Sequence, residues 1–564
     1  MKPAMTETEI EKSIREAVSE CLTGLDHLPS RETEIIQAVR EEKNMEILYP
    51  KHEKYAAVQN RQNAANPKKQ VSFRIVLAAV SVLVLLTGVL AMKNSPSLSG
   101  WFQPMDTVST QPAEQPVLPG ESNDSAFAGT VDQKTGGTDY PLARIDLNID
   151  PDLLWNEETG ILTEGDQIEK SPGLLPFKNA VYRQAYENGT SADGELICRS
   201  EKGDELFRDR ISLRLGGEPY SVDMPQKSFQ IEALDGAFEA RIFDDRSTES
   251  YPSLLLRNSG NDCLFTRVAD GVQQRLIEKY TDMHLLTLAW KPVHVYLNGE
   301  YWGIYNMRES MDAHTICRYE EIPVEMADSI TILQIGGSAI QGNPSEYKAL
   351  LAKVKGCSPA KNPEDLEYME QEIDIDSFLD WLAVEIFFGN SDAGTGRIYR
   401  VPGGKWKCLL QDLDYGLYLA DYNSVRSYLK PEGMGQLNID NQIFRKILET
   451  EKYRNLFLTK LGKLYQTLTT EVMQRELDLC VAWIEPGMKA HLERWAPCND
   501  GNIIPEAPSD SAEAWDYWKS RVDRMRDGTM AKRPRAVWLF TKEFFELSDQ
   551  EMVQFFGTAQ SQEE

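Results

Sequence analysis

The stretch from Asp374 to Gly416 constrains this chain more than any other. Phe378, Leu379, Leu382, Ala383, Ile386 and Phe387 recur at three- and four-residue spacing, which is one apolar face of a helix. Asp374 is placed to cap it, with Ile373 and Phe378 as a hydrophobic staple, and Gly389 to end it. The loop from Asn390 to Gly396 then carries Asp392. Gly403-Gly404 turns the chain into Lys405–Gln411, where Trp406, Leu409 and Leu410 read as a largely buried strand, and Asp412 and Asp414 follow it. Carboxylates at the ends of regular elements, beside Gly-rich turns, are held rigidly while still facing a ligand, which suits a divalent cation or a general base. Loop acids are also ordinary solvated turn formers, so the cluster alone leaves both readings open.

Upstream, the pattern is strand-rich. ARIDLNI reads as a strand, Asp150-Pro151 as a turn, and short strands are expected over Asn179–Tyr186, Gly194–Arg199, Arg210–Leu215 and Leu254–Leu256. In QKSFQIEA, Lys227 shares a face with Phe229, Ile231 and Ala233, so its cation either snorkels from the strand end or is held near an anion. A helix is expected to begin near Phe265. PVHVYLNGEYWGIYNMRE is the clearest hairpin, with Asn298-Gly299 as a type I′ turn and Glu309 just past the return strand. After Asp414, helical periods run over Ile443–Leu468, Val472–Leu492 and much of Ala514–Leu547. Strands first and helices later point to an α+β domain of two lobes with a cleft between them.

Charge narrows the partners. The formal net charge is -28, and all of it falls after Met92. Such a surface repels phosphodiester backbones, which argues against nucleic acid and favours basic proteins or metal ions. Ile75–Met92 is an uncharged apolar run long enough to span a bilayer. Lys68, Lys69 and Arg74 precede it and no Lys or Arg lies between Lys93 and Lys134, so the sequence predicts a single-pass membrane protein with a cytoplasmic N-terminus and an extracytoplasmic C-terminal domain. The expected organisation is a polar helical tail (1–71), a transmembrane helix (72–92), a flexible Ser/Pro/Gly-rich linker (93–140), a folded domain (141–550) and a disordered C-terminal tail (551–564). The eight cysteines show no metal-type spacing and read as isolated, mostly core thiols.

With these pieces in order, residues from about 140 to 550 resemble the spore coat protein H family, the CotH kinases. The matching motifs are LNIDPDLLWNEETGILTEG near the start, PQKSF at 225–229, LRNSGND at 256–262, VYLNGEYWGIYNMRE at 295–309, IDIDSFLDWLAVEIFFGNSD at 373–392 and QDLDYG at 411–416. The resemblance implies a divergent two-lobed protein-kinase-like fold that transfers phosphate from ATP, with Mg2+ or Mn2+, to Ser or Thr of a protein substrate. It assigns Asp392 as catalytic base, Asp412 or Asp414 as metal ligand, and Lys227 as the phosphate-binding lysine. Glu309 would partner Lys227 or the metal, and Asn258 and Asp262 would support the site. All of these groups are expected to meet in one crevice.

The chain departs from the family pattern at three places. Ser221 and Val222 stand where relatives usually carry Ser-Arg before PQKSF. Ala269 stands where Arg is frequent. Thr395, Gly396 and Arg397 fill the space where an Asn commonly follows the catalytic Asp; Arg397 is expected to compensate by contacting phosphate directly. The alternative is a catalytically impaired surface scaffold that binds proteins or cell-wall glycans. A third reading is a glycoside hydrolase using Asp392 and Asp412, with Trp302 and Tyr415 stacking on sugar.

Overall fold

A computed structural model describes residues 142–165, 180–217, 219–435, 437–499 and 506–557. β1 (Ala143–Ile149) pairs antiparallel with β2 (Ser191–Arg199), and helix α1 (Val181–Asn188) lies between them in the chain. β3 (Glu205–Gly216) and β4 (Ser228–Ala233) continue the sheet. A two-residue ribbon, β5 (Phe238–Glu239) with β6 (Ser250–Tyr251), precedes β7 (Ser253–Arg257), which pairs with β4. Helix α2 (Ala269–Tyr280) leads to the hairpin of β8 (Trp290–Leu297) and β9 (Glu300–Glu309). Its turn is the expected one: Asn298 and Gly299 have φ of 51° and 84°, the two left-handed positions of a type I′ turn.

β1 also pairs in parallel with β8, from Ala143↔Val293 to Leu147↔Leu297, and this closes the sheet into a barrel in the order β1-β2-β3-β4-β7-β9-β8. Alternation decides what fills it. Ile145, Leu147, Leu213, Phe229, Ile231, Leu254 and Val293 point inward and are buried, and Tyr182 of α1 joins the same core. Each such side chain contributes roughly 1.5–3 kcal/mol on burial.

Beyond the barrel, β10 (Thr331–Gln334), β11 (Ala339–Gln341), β12 (Arg397–Arg400) and β13 (Lys407–Leu409) form a second sheet in the order β11-β10-β12-β13. Helix α3 (Ile375–Phe388) packs against it and is buried almost all round. The later helices α4 (Thr470–Trp495), α5 (Ser511–Asp523) and α6 (Arg533–Phe544) belong to the same large core, which includes Trp381, Trp406, Phe457 and Trp518.

The expected fold class is corrected by these findings. The first strands form a closed seven-stranded barrel rather than the strand-rich first part of a two-lobed kinase-like domain, because β1 finds a second neighbour in β8. Strands are not confined to the first part either, since a four-stranded sheet lies among the later helices. The expected strand over Asn179–Tyr186 is the helix α1. Tyr182 and Ala185 share its buried face and Gly189, at φ 66°, ends it. The turn at Asp150-Pro151 opens a short helix, Pro151–Trp155, with the Asp150 side chain accepting from the Asp152 amide. Among the described residues no helix is long and apolar enough to cross a membrane, so the single-pass anchoring and extracytoplasmic placement are not sustained. Ile75–Met92, which carried that expectation, lies outside the described residues, as do the 1–71 tail, the whole of the linker and residues 558–564. Of the cysteines after Met92, all but Cys498 are buried, and all are free thiols.

Candidate active site

Asp392 is delivered by the end of α3. Asp374 caps the helix start, accepting from the Ser377 amide at 3.1 Å, and Gly389 closes the other end at φ 67°. The Arg533 guanidinium, fully buried, donates to the carbonyls of Ile386 (2.7 Å) and Phe387 (2.8 Å), placing a cation on the negative end of the helix dipole. Asn390, directly after Gly389, is buried, and its side chain works in two directions. Its Oδ1 accepts the Asp392 amide at 3.1 Å, and its Nδ2 donates to the backbone carbonyl of Asp412 at 3.3 Å. One amide thereby ties the Asp392 loop to the Asp412 turn. Asp392 Oδ1 accepts the Gly394 amide at 3.3 Å.

β13 runs into the second acidic turn. Asp412 has φ 57°, a left-handed conformation that an aspartate adopts at a cost and that the surroundings must hold. Neighbouring groups supply that hold: Asp270 of α2 accepts the Leu413 amide at 2.9 Å, and Gln273 donates to the Leu413 carbonyl at 2.7 Å. Asp270 is itself paired with buried Arg308 of β9. Arg257, the last residue of β7, spans both acids. Its Nη1 and Nη2 donate to the two Asp414 oxygens at 2.9 and 2.8 Å, and Nη2 also reaches Asp412 Oδ1 at 2.9 Å. Asp414 takes a further bond from the Asn261 amide at 2.8 Å, so both of its oxygens are engaged. Among the described residues only Oδ1 of Asp412 is hydrogen-bonded. Burial, then the charge of Asp414, pushes the Asp412 carboxyl well above the usual carboxylate range; Arg257 opposes this, while Asp270 and Asp392 add to it.

The structure therefore brings Asp392, Asp412 and Asp414 together, and it sends other expected residues elsewhere. Lys227 stands immediately before β4 and continues the face of Phe229 and Ile231, as the alternation requires. That face is the barrel core, and its ammonium lies 3.6 Å from the centroid of the Tyr182 ring. Burial pulls its pKa down to about 7, and the carboxylates whose charge opposes this are Asp223 and Glu164, not the 392–414 acids. Arg257 occupies the alternate face, which is why it and not Lys227 meets the acids. Asn258 is fully buried and used internally: its Nδ2 donates to the Gln226 carbonyl at 2.6 Å and its Oδ1 accepts the Gly260 amide at 2.9 Å. Asp262 binds the Ala269 amide at 2.9 Å and the Thr266 amide and hydroxyl, and burial pushes it up to about 7. Glu309 is the last residue of β9 and lies opposite Leu254, at the other end of β7 from Asn258. It accepts from Arg246, Arg318 and the Ala289 amide, each at 2.8 Å. Arg397 is buried and opens β12 opposite Leu409, three residues before Asp412.

Sequence reasoning missed Arg257, Asn390 and Glu385. The signal for Arg257 was a cation at the outward position of an apolar strand. Asn390 offers no signal in the sequence beyond the start of a loop. Glu385 is a lone acid in the apolar run AVEIFF; burial pushes it up to about 8, and the Tyr428 hydroxyl donates to it at 2.8 Å. Among the described residues no group of three or more His, Cys, Asp or Glu forms a ready-made metal cage. A carboxylate with one disengaged oxygen next to a second carboxylate still fits Mg2+ or Mn2+, which take one or two protein carboxylates together with substrate phosphates. Residues 213–529, more than half of the chain, match the family model described as CotH kinase protein. No curated protein matches the chain.

Proposed function

The chain belongs to the CotH kinase family, and on that premise we propose that it transfers the terminal phosphate of ATP to a Ser or Thr hydroxyl of a protein. In this reaction the hydroxyl oxygen bonds to the γ-phosphorus, the bond from that phosphorus to the bridging oxygen breaks, and ADP leaves. Asp392 takes the hydroxyl proton. The observation that carries this reading is the Asn390 side chain, which fixes Asp392 and Asp412 on adjoining loops. Between the two candidates for metal ligand, Asp412 is favoured, because Asp414 spends both oxygens on Arg257 and the Asn261 amide. A divalent cation, when bound, would neutralise charge on the phosphate oxygens. Arg257 positions Asp412, and Asp270 and Gln273 hold the turn that aims it. Lys227, Glu309 and Asn258 are not needed for this assignment, since each is engaged away from the acids.

One observation favours a second reading, a non-catalytic scaffold. Arg257 already supplies positive charge between Asp412 and Asp414, where a kinase would use its metal. ATP binding separates the two. For the kinase, wild type binds ATP only with Mg2+ or Mn2+, and Asp412→Asn weakens that binding at least tenfold. Binding that is absent, or that ignores both the ion and Asp412→Asn, overturns the proposal in favour of the scaffold.

A further inference from the structure

A second loop lies against the one that carries Asp392. There the chain doubles back on itself, with Met434 and Ile439 exchanging backbone hydrogen bonds of 2.8 and 3.0 Å. Gly435, at φ 68°, and Asn438, at φ 51°, supply the left-handed positions of the reversal. Buried Asn441 clamps the approach, its Nδ2 donating to the carbonyls of Tyr428 and Lys430, each at 2.8 Å. The Gly435 amide donates to the Ser427 carbonyl at 3.1 Å. A Cβ on Gly435 would stand 3.2 Å from that of Ala393, so the two loops are in close contact.

Met434 is fully buried, whereas Leu437 in the same turn is 38% exposed. A single exposed leucine is ordinary on a protein surface. Its position is what matters here. The Cδ1 atoms of Leu437 and Ile439 each lie 3.4 Å, and Asp392 Oδ1 3.3 Å, from the point that a Cβ on Gly394 would occupy. Both methyls therefore stand within about 7 Å of the half-buried carboxylate, the span of two residues in an extended strand.

That spacing bears on what passes over them. For Asp392 to take a hydroxyl proton, the acceptor Ser or Thr must come within roughly 2.6–3.2 Å of it. In an extended acceptor, the side chains two residues to either side lie on the same face as the hydroxyl. We propose that Leu437 and Ile439 are specificity determinants of the transfer reaction, receiving a large aliphatic side chain two residues from the acceptor Ser or Thr. This rests on the reading of Asp392 as general base. Both contacting atoms are methyls, so a Lys or Glu at that position would lose hydration without gaining a partner from them.

The test uses the full chain, labelled ATP with Mg2+ or Mn2+, and peptides with one Ser in an Ala/Gly background. Leu, Ala, Lys or Glu is placed in turn at each of the three positions on either side of the Ser. At one position two residues from the Ser, kcat/KM should be at least about tenfold higher for Leu than for Ala, Lys or Glu. Leu437→Ser should bring that ratio close to one, and Leu437→Lys should turn the preference to Glu. Each ratio is taken within one variant, so a general loss of activity does not enter it. Even rates across the scan, a preference confined to other positions, or one that survives Leu437→Ser overturns the Leu437 contact and leaves the transfer reading intact. A wild type that labels neither a peptide nor its own chain overturns the transfer reading, and the Leu437 contact with it.

Discussion

Replacing Arg257 by alanine tests how the acidic turn is held. The substitution removes the three hydrogen bonds to Asp412 and Asp414 and leaves two adjacent carboxylates without their shared cation. The magnitude follows from burial. The Arg257 and Asp412 side chains are 15% and 12% exposed and that of Asp414 only 1%, so water cannot take over the role of the guanidinium. The relevant scale is that for breaking a buried pair, about 3–5 kcal/mol, and not the 0–1 kcal/mol of a surface pair. The sign with pH is also fixed. Arg257 restrains the rise of the Asp412 pKa, which burial and Asp414 already drive up. Without it the carboxyl rises further above its unfolded value of about 3.9, and its ionised form costs stability. The deficit should therefore be largest at pH 8 and shrink as pH falls through the raised value. Urea unfolding followed by tryptophan fluorescence at pH 8 and pH 5 measures both quantities, and Asp414→Asn in the Arg257→Ala background should recover part of the loss. A loss below about 1 kcal/mol, or one equal at the two pH values, would refute the reasoning.

Two further substitutions probe packing, one in the barrel core and one beside the acidic turn. Lys227 has a folded pKa of about 7 because of burial, below its unfolded value of about 10.4, so the unfolded chain binds the extra proton between these limits and stability rises with pH across that window. Lys227→Met should flatten that rise and stabilise the fold by roughly 1–3 kcal/mol at pH 6 in thermal unfolding; destabilisation at pH 6 would contradict it. At Gly416 a Cβ would overlap the Gln273 amide, which is pinned by the Ala269 and Leu413 carbonyls at 2.9 and 2.7 Å. Gly416→Ala should cost about 1–3 kcal/mol in urea unfolding through overpacking, and a neutral outcome would mean that Gln273 moves aside freely.

Local features were legible in the sequence where spacing and end signals agreed. Helix α3 carries an apolar face, an Asp374 cap and a Gly389 stop, and it ends where those signals say. The β8–β9 turn follows from Asn298-Gly299, and the alternation around Lys227 gives the right face. What that face looks onto was not legible, because barrel closure depends on residues 143–147 pairing with 293–297, a contact with no local trace. The two-lobed kinase-like fold class failed for the same reason. The strand expected over Asn179–Tyr186 is a helix because, although Val181, Tyr182 and Tyr186 favour strands by propensity, burial of Tyr182 and Ala185 on one side selects the helix. The three acids could be grouped because they flank short elements close in sequence. Their cation could not, since Arg257 approaches from a strand far upstream.

Transfer of labelled phosphate from ATP, with Mg2+ or Mn2+, tests the central claim most directly, comparing wild type with Asp392→Asn after circular dichroism has shown that both are folded. Wild type should incorporate label, and loss of the general base should slow incorporation by at least about 100-fold. Equal incorporation by Asp392→Asn would contradict the account.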